Sequence, residues 1–348
     1  MTDQKETLTF EPKEVTKKLL GVLSDRARDI LVKRYGLGKE SKGKTLEAIG
    51  KEYGITRERI RQVESFALNA IRKSDEYKNK QDIFAELKTL MDYHGGIVHE
   101  NEFLGFIAKN QNERNHLHFL LVLSEAFIKI KEDEEFHHRW TTDKVVADKV
   151  HQSLRNLCNK ISVNDLIEET ELVTSFAKEL SEALETFKPE NKELARQWLL
   201  LSKELGQNPL GEWGLAKSPN VKMRGIRDYA YLVLRENGSP MHFEEVAKQI
   251  AILFGKKAHP ATCHNELIKD QRFVLVGRGL YALAEWGYTK GVVADVVRAI
   301  LEEAGPLTKE EIINRVLKER HVKENTILVN LQNPSYFKKD KTGKYFLA

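Results

Sequence analysis

The chain has 348 residues, 41% of them apolar and 31% charged, with a net charge of +4. At roughly 100 to 150 residues per domain, that length predicts two to four domains. Two cysteines, Cys158 and Cys263, exclude a disulfide framework and point to a reducing compartment. No stretch approaches the ~18 apolar residues of a membrane span, and the polar start MTDQKETLTFEPKE is no signal peptide, so the expectation is a cytoplasmic protein.

Residues 1–14 read as a leader. From Val15 to Tyr35 the apolar spacing predicts two helices, with Ser24 or Asp25 capping the second. The stretch TLEAIGKEYGITRERIRQVESFALNAIRK, Thr45 to Lys73, then reads as two helices joined by a tight turn. Thr45 and Thr56 are N-cap types and Gly54 can take positive φ at the turn. In the second helix Ile60, Val63, Ala67 and Ile71 fall on one apolar stripe, which leaves Arg57, Glu58, Arg61, Gln62 and Ser65 towards solvent. Arg pairs with guanine, Gln with adenine, and Glu accepts from cytosine, so this helix carries base-reading types at its front end. Residues 1–80 hold 19 Lys and Arg against 13 Asp and Glu, which concentrates positive charge in this module.

The run SDRARDILVKRYGLG, TLEAIG, GITRERIRQVE and ALNAIRK resembles region four of bacterial housekeeping sigma factors, over residues 19–74. That domain reads the upstream (minus-35) promoter element. The resemblance implies base contacts for Arg57, Glu58, Arg61 and Gln62, and phosphate contacts for Arg26, Arg34, Thr45 and Arg59. A promoter-melting module would have to precede it, and only about 20 residues do, so a complete primary sigma factor of the usual arrangement is not expected.

After a polar hinge at 74–80, the chain is expected to repeat one grammar of three helices and a hairpin. The predicted divisions are 15–76, a helix-turn-helix domain; 81–142, winged-helix-like; 143–215, a degenerate helical copy without a clean strand pair; 222–288, a winged helix; and 290–348, a C-terminal winged-helix-like copy. The fold class is therefore mainly α, a helix-turn-helix followed by tandem winged helices, each closing its own core like a bead. In the last copy Thr308 and Glu311 form a capping-box pattern, and a turn is expected at 340–343.

The segments IRDYAYLVLRENGSPMHFEEVAKQI, AHPATCHNELIKD and VGRGLYALAEW, within 226–285, resemble the HARE-type winged helix found in the RNA polymerase delta subunit, chromatin regulators and proteins beside restriction enzymes. The resemblance makes His259, Thr262, His264 and Asn265 on the third helix, with Arg272 and Arg278 near the hairpin, candidate contacts to nucleic acid or protein.

No phosphate-binding GxxxxGK[ST], dinucleotide GxGxxG or GxSxG elbow is present, so no enzyme, cofactor or small-molecule substrate is expected. His259, Cys263 and His264 lack the four paired ligands of a zinc site, and His137 and His138 should point to opposite faces of a hairpin. The four tryptophans, Trp140, Trp198, Trp213 and Trp286, read as packing groups. The leading expectation is a sequence-specific duplex-DNA-binding transcription factor working with RNA polymerase core. The alternatives are a delta-like polymerase-associated subunit, for which Leu19, Leu20 and Ile30 would offer an apolar docking patch, and the DNA-recognition part of a defence system.

Overall fold

The computed structural model describes residues 8–289 and 291–348 and divides into two compact units, 1–206 and 207–348. The fold is mainly helical with small antiparallel sheets, of helix-turn-helix type.

The first unit opens with α1 (Pro12–Leu20), α2 (Asp25–Tyr35), α3 (Leu46–Tyr53), α4 (Arg57–Lys73) and the single turn α5 (Asp75–Lys78). Helix α1 starts inside the stretch expected to be a leader, because Pro12 suits the first helical turn. Thr9 just before it is tied to Glu86, its backbone N–H donating to Oε1 at 2.8 Å; residues 1–7 lie outside the described residues. Ser24 occupies the N-cap of α2, but its side chain makes no capping hydrogen bond.

Next come α6 (Gln81–Tyr93), β1 (Ile97–His99), α7 (Glu100–Ile107), α8 (Gln111–Leu123), β2 (Ile128–Ile130) and β3 (Arg139–Thr141), the strands ordered β1-β3-β2. Strand β1 thus adds to the expected grammar of three helices and a hairpin, with Val98 opposite Trp140. The hinge expected at 74–80 is instead α5, whose Tyr77 ring packs 4.9 Å from Phe84.

The expectation of independent beads fails here. Leu19, Leu20, Leu31, Ala67 and Ile71 of the first module share one core with Phe84, Leu87, Leu117, Phe119 and Trp140 of the next. Tyr35 packs edge-on against Phe119 at 5.2 Å, and Arg72 donates to the carbonyls of Leu123 and Val122 at 2.8 and 3.1 Å. Leu19, Leu20 and Ile30 are at most 5% exposed, so they are core and not a docking patch.

Helices α9 (Lys144–Lys160), α10 (Glu169–Ala183) and α11 (Lys192–Leu199) complete the unit. Trp198 of α11 donates from Nε1 to the Ile97 carbonyl at 3.0 Å, fastening this segment to β1. Strand β4 (Leu205–Gln207) lies where the units divide.

In the second unit, β5 (Trp213–Leu215) precedes α12 (Ile226–Asn237), β6 (Met241–His242), α13 (Phe243–Phe254), α14 (Pro260–Lys269), β7 (Phe273–Leu275) and β8 (Leu280–Leu283), with sheet order β6-β8-β7. The chain ends with α15 (Val293–Ala304), α16 (Lys309–Glu319), α17 (Glu324–Leu331) and the hairpin of β9 (Phe337–Lys339) and β10 (Tyr345–Leu347). The capping box at Thr308 forms, with Glu311 N–H donating to Thr308 Oγ1 at 3.3 Å and Thr308 N–H to Glu311 Oε2 at 2.8 Å. These two segments are also joined. Buried Arg320 donates to the carbonyls of Leu275, at 2.8 Å, and Gly291, at 2.9 Å, while His321 N–H reaches the Val276 carbonyl at 2.8 Å.

Candidate nucleic-acid interface

The helix-turn-helix of α3 and α4 is set by local chemistry. Thr45 accepts from Ala48 N–H at 3.1 Å, and Thr56 accepts from Arg59 N–H at 3.2 Å, so each helix start is capped by a hydroxyl. Gly54 takes φ +64° between them. Gly50 matters as much: a Cβ there would lie 2.6 Å from the Ile55 carbonyl, so only glycine lets the turn fold back on α3. Ile30, Ile49 and Ile60, all fully buried, pin the front of α4 in a small cluster of their own, while Ala67 and Ile71 anchor its rear in the large core.

Arg57, Glu58, Arg59, Arg61, Gln62 and Ser65 all lie on the solvent side of α4, the first five of them at its front. Arg57 makes no hydrogen bond or ion pair among the described residues. Its neighbours are arranged in pairs along the helix: Arg61 grips Glu58 through two bonds of 2.9 and 2.7 Å, and Arg59 donates to Gln62 Oε1 at 3.1 Å. The Arg61 hydrogen bond holds the Glu58 carboxyl below its ordinary range. Arg26 is exposed, its guanidinium 5.5 Å from the Tyr53 ring centre.

Arg34 is placed differently from the expectation. It turns inward, donating to the Lys44 carbonyl at 3.2 Å and lying 3.5 Å from Glu64, so it fixes the loop before Thr45. Phe66 was not anticipated: it is 74% exposed and falls on the stripe with Arg59 and Gln62. Its place in that stripe could have been read from spacing, but an apolar residue next to a core stripe gives no signal that it is bare.

The corresponding pair in the second unit, α13 and α14, carries less. His259 caps α14, accepting from Ala261 N–H at 3.3 Å, and Thr262 and Asn265 follow it on the helix. His264 is half-buried, its ring 4.5 Å from Phe243 and 5.8 Å from Tyr281, so it serves packing. Arg272 is not a surface contact either: it donates to Asp228 at 2.8 Å, Asp270 at 2.7 Å and Asn220 at 3.1 Å. Arg278 sits at the hairpin tip and lines a groove of about 850 Å³ with Leu275, Leu317, His321 and Lys323.

The other sequence features fall into place as structure. His137 and His138 lie between β2 and β3, and His138 Nδ1 accepts from Glu132 N–H at 2.9 Å. Burial pushes the Cys158 and Cys263 thiols up to about 11. Among the described residues no three His, Cys, Asp or Glu gather as a metal group, and no helix is long and apolar enough to cross a membrane.

Comparison with known proteins agrees with this geometry. A family model described as "Sigma-70, region 4" matches residues 19–73, and the model of the HARE-HTH family, a helix-turn-helix domain of ASXL proteins and restriction endonucleases, matches residues 226–286. Over 70 residues the chain is 41% identical to the RNA polymerase sigma factor SigA of Clostridium acetobutylicum, a match covering 20% of this chain and 18% of that protein. The chain thus matches less than a fifth of the length of this relative. Two DNA-binding helix-turn-helix families on one chain support a DNA-binding, transcription-related role.

Proposed function

We propose that the protein is a sequence-specific duplex-DNA-binding transcription factor that reads a promoter element of the minus-35 type and acts in initiation with RNA polymerase core. The observation that carries this reading is the exposed front of α4, where Arg57 stands free beside the Glu58–Arg61 and Arg59–Gln62 pairs on a helix pinned at its start by Thr56. In the major groove Arg57, Glu58, Arg61 and Gln62 meet base edges, while Arg26 and Arg59 reach phosphates. The capped N-terminus of α3 at Thr45 offers further backbone donors to a phosphate, and Arg34 positions the loop before it. Thr262, Asn265 and Arg278 are the second module's contacts, with His259 at the cap of α14. The polymerase partnership rests on the likeness to a sigma factor over α2 to α4.

Selection of duplexes from a random library by the full chain tests the reading. Enrichment of one short motif, lost in Arg57→Ala, is expected; recovery of unenriched sequence overturns it.

A further inference from the structure

The hairpins that follow α8, α14 and α17 differ in charge. The loop between β2 and β3 is acidic, and three of its four carboxylates are paired internally: Glu132 with Lys203 at 2.7 Å, Asp133 with Arg139 at 2.9 Å and Glu135 with Arg155 at 2.7 Å. That hairpin is a clasp within its own unit. The loop between β7 and β8 has Arg278 as its sole charged residue. The C-terminal hairpin, FKKDKTGKY, places Lys338, Lys339, Lys341 and Lys344 against the single Asp340, and all four lysines are exposed.

That aspartate does not neutralise them. Its Oδ1 accepts from the N–H groups of Thr342, at 2.8 Å, and Lys344, at 2.9 Å, and from the Thr342 hydroxyl at 2.7 Å, which locks the turn. None of the four lysines makes an ion pair among the described residues; Lys344 acts only at a distance on Glu311, and Lys339 Nζ lies 5.6 Å from the Tyr345 ring centre. The strands are in fixed register, Lys338 opposite Phe346 and Lys339 opposite Tyr345, with buried Phe337 rooting the hairpin in the core. The result is a hairpin holding four exposed lysines that make no ion pair among the described residues.

We propose that this C-terminal hairpin is a second DNA contact, one that grips the phosphate backbone of a duplex without reading its sequence. Lysine supplies point charge with no base code, which suits backbone positioning. Helix α17 stands just before it, with Lys323 at its N-cap and Asn325 and Thr326 in its first turn, against one opposing carboxylate, Glu324. The proposal does not depend on base reading by α4, since it concerns charge on another module.

The test is binding of the full chain to a random-sequence duplex by fluorescence anisotropy across a salt series. The comparison uses the parent, K338Q/K339Q/K341Q/K344Q, the same four positions changed to Arg, and Arg57→Ala. Removing one phosphate neutralisation lowers the slope of log K against log salt by about 0.9, so the Gln variant should lose about two to four units of slope and at least ~10-fold affinity at low salt. The Arg variant should keep the slope, and Arg57→Ala should change it by about one unit or less. An unchanged slope in the Gln variant, or an equal loss in the Arg variant, overturns the proposal. A single strand competing as well as the duplex overturns the assignment to duplex DNA.

Discussion

Helices α4 and α14 each follow a first helix and a turn, yet their outward faces differ in kind. The front of α4 shows three arginines, a glutamate and a glutamine; α14 carries a threonine and an asparagine, with Ile268 61% exposed near its end. The nearby arginines differ in the same way. Arg57 is free, whereas Arg272 is sunk in a network with Asp228 and Asp270. The same order of elements therefore leaves an exposed face of charged and polar side chains in one module and a structural ion network in the other, and side-chain placement decides which.

The contrast can be broken most forcefully through the core. Leu31→Ala removes a fully buried side chain from the core that α4 shares with α6 and α8. A cost of about 2–5 kcal/mol is expected. Urea unfolding should show residues 8–206 losing stability together; a loss confined to the helix-turn-helix by hydrogen exchange would restore the picture of beads.

In the second unit Asp228→Ala leaves Arg272 with one carboxylate and strips the acceptor of Gly225 N–H, which Asp228 Oδ2 receives at 3.1 Å. Breaking so buried a pair should cost about 3 kcal/mol, while DNA binding by α4 persists wherever the unit stays folded. Unchanged stability would mean that Arg272 is available to a ligand after all.

Acid should separate the units next. Burial, reinforced by Lys129 beside His118 and by Arg139 and Arg155 beside His151, lowers both imidazoles to about 4. The fold refuses protons that the unfolded chain accepts, so their contribution is full above pH ~6.5 and is lost as pH falls towards ~4. Residues 8–206 should lose stability across that window, and His151→Gln should flatten the curve; a flat parent curve would contradict the neutral, buried state of His151.

The smallest effect expected is at Glu58. Glu58→Gln unlocks Arg61 and removes a carboxylate from the face of α4. Affinity for random duplexes should rise with a steeper salt slope, while discrimination at the preferred site falls. Equal discrimination would show that Glu58 only shields Arg61.

Much of the first site was legible in the sequence because its signals are local. Thr45, Thr56, Gly54 and the stripe Ile60-Ala67-Ile71 each act over a few residues, and the structure places them as read. The fate of Arg34, Arg272 and His264 was not legible, since Glu64, Asp228 and Phe243 are brought to them only by tertiary packing. Sharing of the core across α5 was hidden for the same reason: a short polar stretch looks like a hinge unless the packing of Tyr77 against Phe84 is known.

The central claim, that α4 reads bases, is tested most directly by fluorescence anisotropy on a minus-35-type duplex and its scrambled counterpart, with parent and Arg57→Ala protein at fixed salt. A parent preference of about tenfold or more is predicted, with Arg57→Ala losing about 1–3 kcal/mol on the specific duplex and little on the scrambled one. Equal binding of both duplexes by the parent, or equal loss on both in the variant, would contradict it.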